Sequence, residues 1–312
     1  MNRDATVVLV TGAGSGMGFE TALHLASRHF KVFASVVDAP QETAVLQAAR
    51  SRNVDVRVVR MDITQPADVQ QVISVIMSEC SRIDAVVNFA GIGLRGFFED
   101  LDLDEIRRVF EINVFGAMVL LQAVLPHMRR ARAGRLVLTT SVAGRIGAMS
   151  IGGYASSKFA IEGLAECLAQ EAALFGLHVS IVEPGLVLTP HFTQHRNRAR
   201  RAQDPSGPYY RWFCRHESLV DGLLARGSFT PADVARLVDR ILRSRRPRLR
   251  YVIGRNARLV LSLRRYVPGE LFERLYWRMV RRTVTRGAQA EPGVLDAASP
   301  VPGTAPTAPH RK

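Results

Sequence analysis

Cysteine is scarce: the 312 residues hold three, Cys80, Cys167 and Cys214. They stand far apart, with neither a disulfide framework nor metal-ligand spacing, which fits a reducing compartment. Unbroken apolar runs are short. None reaches about 18 residues, so no membrane-spanning helix is expected. No secretory leader is read at the start, where a strand-like run, ATVVLV, begins at Ala5. No internal repeat is evident. Acidic residues run short in one place: residues 240–286 hold fifteen Arg against Glu270 and Glu273, a net +13 of the chain's +14. The charge therefore describes one segment rather than the whole protein.

Apolar residues are plentiful, 47% of the chain, enough for a sizeable core. They fall in short β-branched runs separated by helical patterns. Strands are expected at Ala5–Val10, Lys31–Val37, Val54–Arg60, Ile83–Asn88, Arg135–Thr140, His178–Val182 and Arg250–Ile253. Helices are expected between them, including a long run from Leu103 to Arg130, broken near Asn113 and Gly116. Strands alternating with helices predict an α/β protein: a doubly wound parallel sheet of Rossmann type, with helices on both faces. After the first strand comes Thr11-Gly-Ala-Gly-Ser-Gly-Met-Gly18, then a helix. Gly12, Gly16 and Gly18 let the backbone turn tightly and approach a pyrophosphate at the helix amino terminus. The spacing is not G-x-G-x-x-G; the strand–turn–helix context gives it its meaning.

Residues 141–158 read SVAGRIGAMSIGGYASSK and follow the fifth strand. Ser141 thus sits at the carboxyl end of a strand, where open α/β sheets bind ligands. Tyr154 and Lys158 are four apart on a helix, one turn from each other. A free tyrosine titrates near pH 10, too high for proton transfer near neutrality. An ammonium one turn away is expected to lower that pKa. A tuned tyrosine can exchange a proton with a carbonyl or alcohol oxygen, and a serine hydroxyl can hold that oxygen in place.

With these residues the chain resembles the short-chain dehydrogenase/reductase family, in its single-domain branch, over roughly residues 5–255. The T-G-x-x-x-G-x-G loop falls on Thr11, Gly12, Gly16 and Gly18, and the N-N-A-G motif on Asn88-Phe89-Ala90-Gly91, with Phe in place of the second Asn. The resemblance implies a nicotinamide dinucleotide, NAD or NADP, held by Thr11, Gly12, Ser15, Gly16, Met17, Gly18, Asp38, Asp62, Ile63, Asn88, Ala90, Gly91, Tyr154, Lys158, Pro184, Gly185 and Thr189. It implies catalysis by Asn113, Ser141, Tyr154 and Lys158. Tyr154 would be the acid/base, Lys158 its tuner and ribose ligand, Ser141 the substrate anchor, and Asn113 the holder of a water that links Lys158 to solvent. The run Phe110–Gly116 (FEINVFG) and the arginine-rich extension resemble the retinol and hydroxysteroid dehydrogenases. The second strand ends in Val36-Val37-Asp38 with no basic residue for a 2′-phosphate, so the expectation leans to NAD.

Residues 186–230 break the strand–helix rhythm and are expected to form a substrate lid. Leu186, Val187, Leu188, Phe192, Tyr209, Tyr210, Trp212 and Phe213 would line a cleft for an apolar, sizeable alcohol or carbonyl compound. His191 and His195 stand four apart without a third ligand, so no metal site is read. Residues 1–255 are taken as the catalytic domain, 256–286 as a basic helical extension and 287–312, rich in Ala, Pro, Gly and Thr, as a disordered tail. Along 268–286, Leu271, Leu275, Met279, Phe272, Tyr276 and Val280 make an apolar side, with Arg274, Arg278, Arg281 and Arg282 largely opposite. That pattern suits either a surface helix packed on the domain or a peripheral contact with an anionic membrane. The expected location is the cytoplasm, with membrane association through this segment. The basic segment carries no recognisable nucleic-acid module, so no nucleic acid is expected as partner. The resemblance allows a homo-oligomer. The intact Asn–Ser–Tyr–Lys set favours an alcohol/carbonyl oxidoreductase over the alternative, a dinucleotide-binding regulatory protein without turnover.

Overall fold

The computed structural model describes residues 5–187, 196–225 and 229–285. Its centre is a seven-stranded sheet in the order β3-β2-β1-β4-β5-β6-β7, every pair parallel. The strands are β1 Val7–Thr11, β2 Lys31–Val36, β3 Arg57–Arg60, β4 Ala85–Asn88, β5 Gly134–Thr139, β6 Leu177–Pro184 and β7 Arg250–Ile253. Helices α1 Gly16–Ser27, α2 Ala39–Ser51 and α3 Pro66–Cys80 connect the first four strands. Helices α4 Leu103–Phe110 and α5 Ala117–Ala131 lie between β4 and β5, and α6 Gly152–Ala173 between β5 and β6. Then come α7 Tyr210–Ala225, α8 Pro231–Arg243, α9 Arg255–Tyr266 and α10 Gly269–Thr285.

The strands are apolar on both faces because helices cover both faces. Along β1, Val7 and Leu9 enter one core layer, with residues of α3, α5 and α6. Val8 and Val10 enter the other, with residues of α1, α2 and α8. Each fully buried aliphatic side chain contributes about 1.5–3 kcal/mol. Burial on this scale fixes the strand ends that carry the site.

Three elements differ from the sequence expectation. The long run Leu103–Ala131 is continuous; its break is a π-helical segment, Glu111–Gly116, between α4 and α5. By length and composition this run could cross a membrane, which a count of unbroken apolar residues misses. Here Val114, Ala117, Leu120, Leu121, Val124 and Met128 bury in the first core layer. The stretch 186–230 is not all loop, since α7 occupies much of it. Phe213, Glu217, Val220 and Leu224 are its buried stripe at helical spacing. The carboxylate in the middle of that stripe hides the period from a hydrophobicity pattern. Helix α2 starts at Ala39, ahead of the expected start near Gln41, because Asp38 caps it, accepting from Gln41 N at 2.9 Å.

The compact units divide after Tyr266, so α9 goes with the sheet. It is joined to β7 through Gly254, at φ +119, and Arg258 N donates to Gly254 O at 2.9 Å. In the second unit, α10 stacks Phe272 on Tyr276, with ring centroids 5.6 Å apart.

Candidate active site

The strand order reverses between β1 and β4, and the carboxyl ends of these strands form the crevice where such sheets bind ligands. Thr11 and Asn88 are register partners there, and the Thr11 hydroxyl donates to Asn88 Oδ1 at 2.5 Å. The same hydroxyl accepts from Ala90 N at 3.3 Å. Gly12 turns at φ +64, and a Cβ on it would lie 2.8 Å from Ala90 N. Gly16 turns at φ +57. A Cβ on Gly18 would lie 2.2 Å from Gly12 O. The glycines therefore do two jobs, one in backbone conformation and one in close packing of α1 on the turn. Ser15 is the N-cap of α1, and among the described residues its side chain makes no capping hydrogen bond. First-turn amides left this way suit a pyrophosphate. Met17 is half-buried against the second core layer. These residues fit a dinucleotide.

The flank of the crevice is assembled by Asp38, Asp62 and Ile63. Asp38 is exposed beyond β2, and its carboxylate also accepts from Gln41 Nε2 at 3.4 Å. Asp62 accepts from Thr64 N and Oγ1 at 2.9 and 2.7 Å, which fixes the turn after β3. Ile63 is buried against Gly116, where a Cβ would come within 2.8 Å of Ile63 Cγ2.

Four side chains converge at the ends of β4 and β5. The π segment brings Asn113 inward, the use such insertions often have. Its Nδ2 donates to Ile92 O at 2.9 Å and to Ser157 Oγ at 3.0 Å, and its Oδ1 accepts from Ile92 N at 2.8 Å. The amide thus ties the segment following Gly91 to α6. Ser141 opens the turn after β5; its Oγ accepts from Ala143 N at 3.1 Å and donates to Pro184 O at 3.4 Å. Tyr154 is half-buried, with the Ser141 hydroxyl near enough to its phenol to lower the pKa. Lys158 is buried, with Nζ donating to Thr139 O at 3.0 Å and lying 5.7 Å from the Tyr154 ring centroid. A Cβ on Gly91 would stand 3.1 Å from Asn113 Oδ1 and 3.5 Å from Lys158 Nζ, so this glycine leaves the space beside them open. Gly185 closes the site: its N donates to Ile253 O at 2.9 Å, and a Cβ would stand 3.1 Å from Ala257 Cβ. Leu188, Thr189, His191, Phe192, His195 and the tail 287–312 lie outside the described residues.

The electrostatics correct one expectation. Burial pushes the Tyr154 phenol up, against the Ser141 hydrogen bond that lowers it. The ammonium does not reverse this within the protein alone, because Lys158 is itself stripped of water. Burial pulls Lys158 down to about 8, with Glu162 opposing.

Other residues of the site were missed from sequence. Leu94, Leu101, Val109, Ala199 and Ala202 form a separate apolar cluster with Phe213, which was already expected at the cleft. It adjoins Tyr154, because Ile106, Leu101 and Leu94 all lie within 4 Å of a Cβ placed on Gly153. Tyr209 stacks on Phe97 at 4.9 Å. Two of the aromatics expected to line a cleft, Phe213 and Tyr209, thus pack on the domain itself. Around Glu217 gather Arg95, Arg196 and Arg198, at 2.5, 3.1 and 3.1 Å. Beside it, His216 Nδ1 shares a hydrogen bond with Ser150 Oγ at 2.8 Å, four residues before Tyr154.

A parallel sheet with a glycine turn at its reversal point, and Ser, Tyr and Lys gathered at the next strand end, defines the class of nicotinamide-dependent oxidoreductases. The model of the short chain dehydrogenase family matches residues 6–200. The mouse 17-beta-hydroxysteroid dehydrogenase type 1 is 33% identical over 310 residues, 95% of this chain and 89% of the mouse protein. Human retinol dehydrogenase 8 is 35% identical over 250 residues, 78% of this chain and 79% of the human protein. A short-chain dehydrogenase/reductase from Burkholderia phymatum, solved with NAD, superposes with a TM-score of 0.73 at 26% identity, covering 85% of this chain and 94% of that one. The chain belongs to the short-chain dehydrogenase/reductase family. It is an NAD(P)-dependent oxidoreductase acting on CH–OH groups.

Proposed function

We propose that the chain interconverts a sizeable apolar alcohol, steroid- or retinoid-like, and its carbonyl compound, with Tyr154 as proton donor and acceptor. The observation that carries this is the Ser141 hydroxyl beside the Tyr154 phenol, with buried Lys158 Nζ 5.7 Å from the Tyr154 ring centroid and an apolar wall at the start of α6. Ser141 holds the substrate oxygen, Tyr154 moves the proton, and Lys158 supplies a positive charge for the phenolate state. Asn113 braces the site through Ile92 and Ser157. The nicotinamide, when bound, supplies or takes the hydride. Thr11, Gly12, Ser15, Gly16, Met17 and Gly18 would cradle its pyrophosphate, and Asp62, Ile63, Asn88, Ala90, Gly91, Pro184, Gly185 and Thr189 would flank the rest.

The hydroxysteroid and retinol dehydrogenases among the relatives support the substrate class. So does exposed Phe98, within 4 Å of a Cβ placed on Gly152 at the start of α6. A screen of steroid, retinoid and short aliphatic alcohols, read by the ultraviolet absorbance of the reduced nicotinamide, tests it. Turnover is expected on the polycyclic or polyene alcohols; equal or better turnover on short ones overturns the substrate class.

Asp38 favours NAD, since its carboxylate would repel a 2′-phosphate. A tighter dissociation constant for NADH than for NADPH is expected by fluorescence titration, and the reverse order refutes this preference. We further propose peripheral attachment to an anionic membrane through α10, on which Leu271, Leu275, Trp277 and Met279 are exposed.

A further inference from the structure

Lys158 has a buried carboxylate one helical turn beyond it. Glu162 is 5% exposed, and its Oε1 accepts from the Thr140 hydroxyl at 2.6 Å. Its Oε2 accepts from Arg250 Nε at 3.1 Å. Arg250, on β7, also pairs through Nε with Glu183 Oε1 at 3.1 Å. Glu183 in turn pairs with Arg145 at 3.1 Å. Arg250 reaches Glu166 as well. Glu183 is fully buried, and its Oε2 has no partner among the described residues. Three carboxylates therefore share two guanidinium groups directly behind the strand ends that carry Ser141 and Pro184. A buried carboxylate is costly to keep charged unless cations face it. Glu162 is held by a hydroxyl and a guanidinium rather than sent to solvent, on a helix face otherwise lined by Ile161, Ala165 and Leu168. Gly144 allows this: a Cβ there would meet Lys158 O at 3.0 Å and Glu162 Cγ at 3.1 Å.

We propose that Glu162, clamped between Thr140 and Arg250, is a positioning residue that keeps Lys158 charged beneath Tyr154. This rests on the catalytic reading of Tyr154 and Lys158 given above. The titratable or charged groups around Lys158 are few. On α6 they are Tyr154 and Glu162. Behind Glu162 come Arg250 from β7, Glu183 from β6, Arg145 from the loop after β5, and Glu166. The neighbours from β5 and the π segment are the Thr139 carbonyl and the Asn113 amide, which do not titrate. Among the described residues Glu162 is thus the negative group that opposes the burial draining Lys158 of its proton. In carbonyl reduction the Tyr154 proton passes to the new alkoxide, and the phenolate left behind needs the Lys158 charge.

The test reads Lys158 directly in the full-length protein. Competitive acetylation with trace acetic anhydride, followed by mass spectrometry of the Lys158 peptide against pH, gives its titration without any turnover. Glu162→Gln is expected to move that titration to lower pH by about half a unit or more. Glu162→Asp, with the carboxylate drawn back by one methylene, is expected to move it the same way by less, and carries the test if Glu162→Gln does not fold. Glu166→Gln, which alters an exposed partner of the same Arg250, is expected to leave it in place. With all-trans-retinal as the carbonyl probe, the falling alkaline limb of kcat should shift acidward in step with the labelling. An unmoved Lys158 titration in both Glu162 variants overturns the proposal, as does an equal shift in Glu166→Gln. A wild-type enzyme that fails to reduce retinal counts against the substrate reading alone, since the labelling result stands without turnover.

Discussion

The two walls of the active-site crevice are held by different forces. The catalytic wall rests mainly on β1, β4, β5 and β6, whose side chains are mostly buried and apolar, with the Glu162–Arg250–Glu183 cluster as the buried charge behind them. The substrate wall rests on a knot of ion pairs: Glu217 of α7 binds Arg95 from the segment after β4, and Arg196 and Arg198 from beyond β6. Glu217 is held below the usual carboxylate range; burial pushes it up, but Arg95 and Arg196 outweigh that. Arg95 is 7% exposed, and burial lowers its pKa against the attraction of Glu217. Apolar burial is non-directional and tolerates variation if volume is kept. Buried ion pairs are directional and fail when one partner is lost. The contrast suggests a fixed chemical site with a separately adjustable substrate side.

Three substitutions probe this contrast. The largest effect falls on the catalytic wall. Tyr154→Phe keeps the ring and removes the exchangeable proton, so kcat should fall by about 10²–10⁴-fold or more, with NADH affinity almost unchanged. Activity within tenfold of wild type removes Tyr154 from the mechanism.

Next in size is Glu217→Gln, which leaves Arg95 and Arg196 facing a neutral amide. Breaking one partner of a buried pair costs about 3–5 kcal/mol. Urea unfolding should show a loss of that order. KM for the apolar substrate should rise while the NADH dissociation constant holds. If both change together, the two walls are one cooperative unit and the contrast fails.

Lys158→Met should show activity and stability moving in opposite directions. The folded protein holds Lys158 at about 8, against an ordinary lysine value of 10.5. Between those values the unfolded chain binds more protons, so stability rises with pH through that window. Below pH 8 the full penalty stands, on the order of 3 kcal/mol, partly offset by the hydrogen bond to Thr139 O. Turnover should collapse in Lys158→Met, yet stability at pH 7 should rise by about 1–2 kcal/mol, read as a higher Tm. The gain should vanish above pH 10.5. A variant less stable than wild type at pH 7 would mean that Lys158 carries no burial penalty.

The catalytic wall was legible in sequence and the substrate wall was not, for reasons of period. Tyr154 and Lys158 announce themselves by helical spacing after a β-branched run, and Gly12, Gly16 and Gly18 by strand–turn–helix context. Asn113 was legible as a catalytic residue only through the family resemblance, and its own run showed only a break, because a π turn has no residue signature of its own. Glu217 and Glu162 were invisible because each stands on an apolar stripe where a carboxylate reads as noise. Their partners, Arg95 and Arg250, are distant in sequence and meet them only in the fold. Asp38 looked like a ribose ligand; its oxygens also cap α2, a role that its distance from the glycine loop did not suggest.

The smallest expected effect concerns how an apolar substrate reaches the substrate wall. On α10, Leu271, Leu275, Trp277 and Met279 are 49%, 56%, 65% and 55% exposed, an apolar strip that water disfavours. Arg274 is 81% exposed, with Glu270 3.8 Å away and weakly paired at most. Arg278, Arg281 and Arg282 add to the basic flank, and all three are exposed. Each such charge near an anionic surface contributes about 1 kcal/mol, and buried apolar side chains add to it. A Trp at the boundary between the two faces suits the headgroup layer. The full-length protein is therefore expected to co-sediment with phosphatidylglycerol vesicles at about 0.15 M salt, where exposed charges are realistically screened. Binding should weaken steeply with added salt and fall in a Leu271→Glu/Leu275→Glu variant. If the wild type stays in the supernatant, α10 is a solvated surface helix, and the substrate reaches the crevice through water.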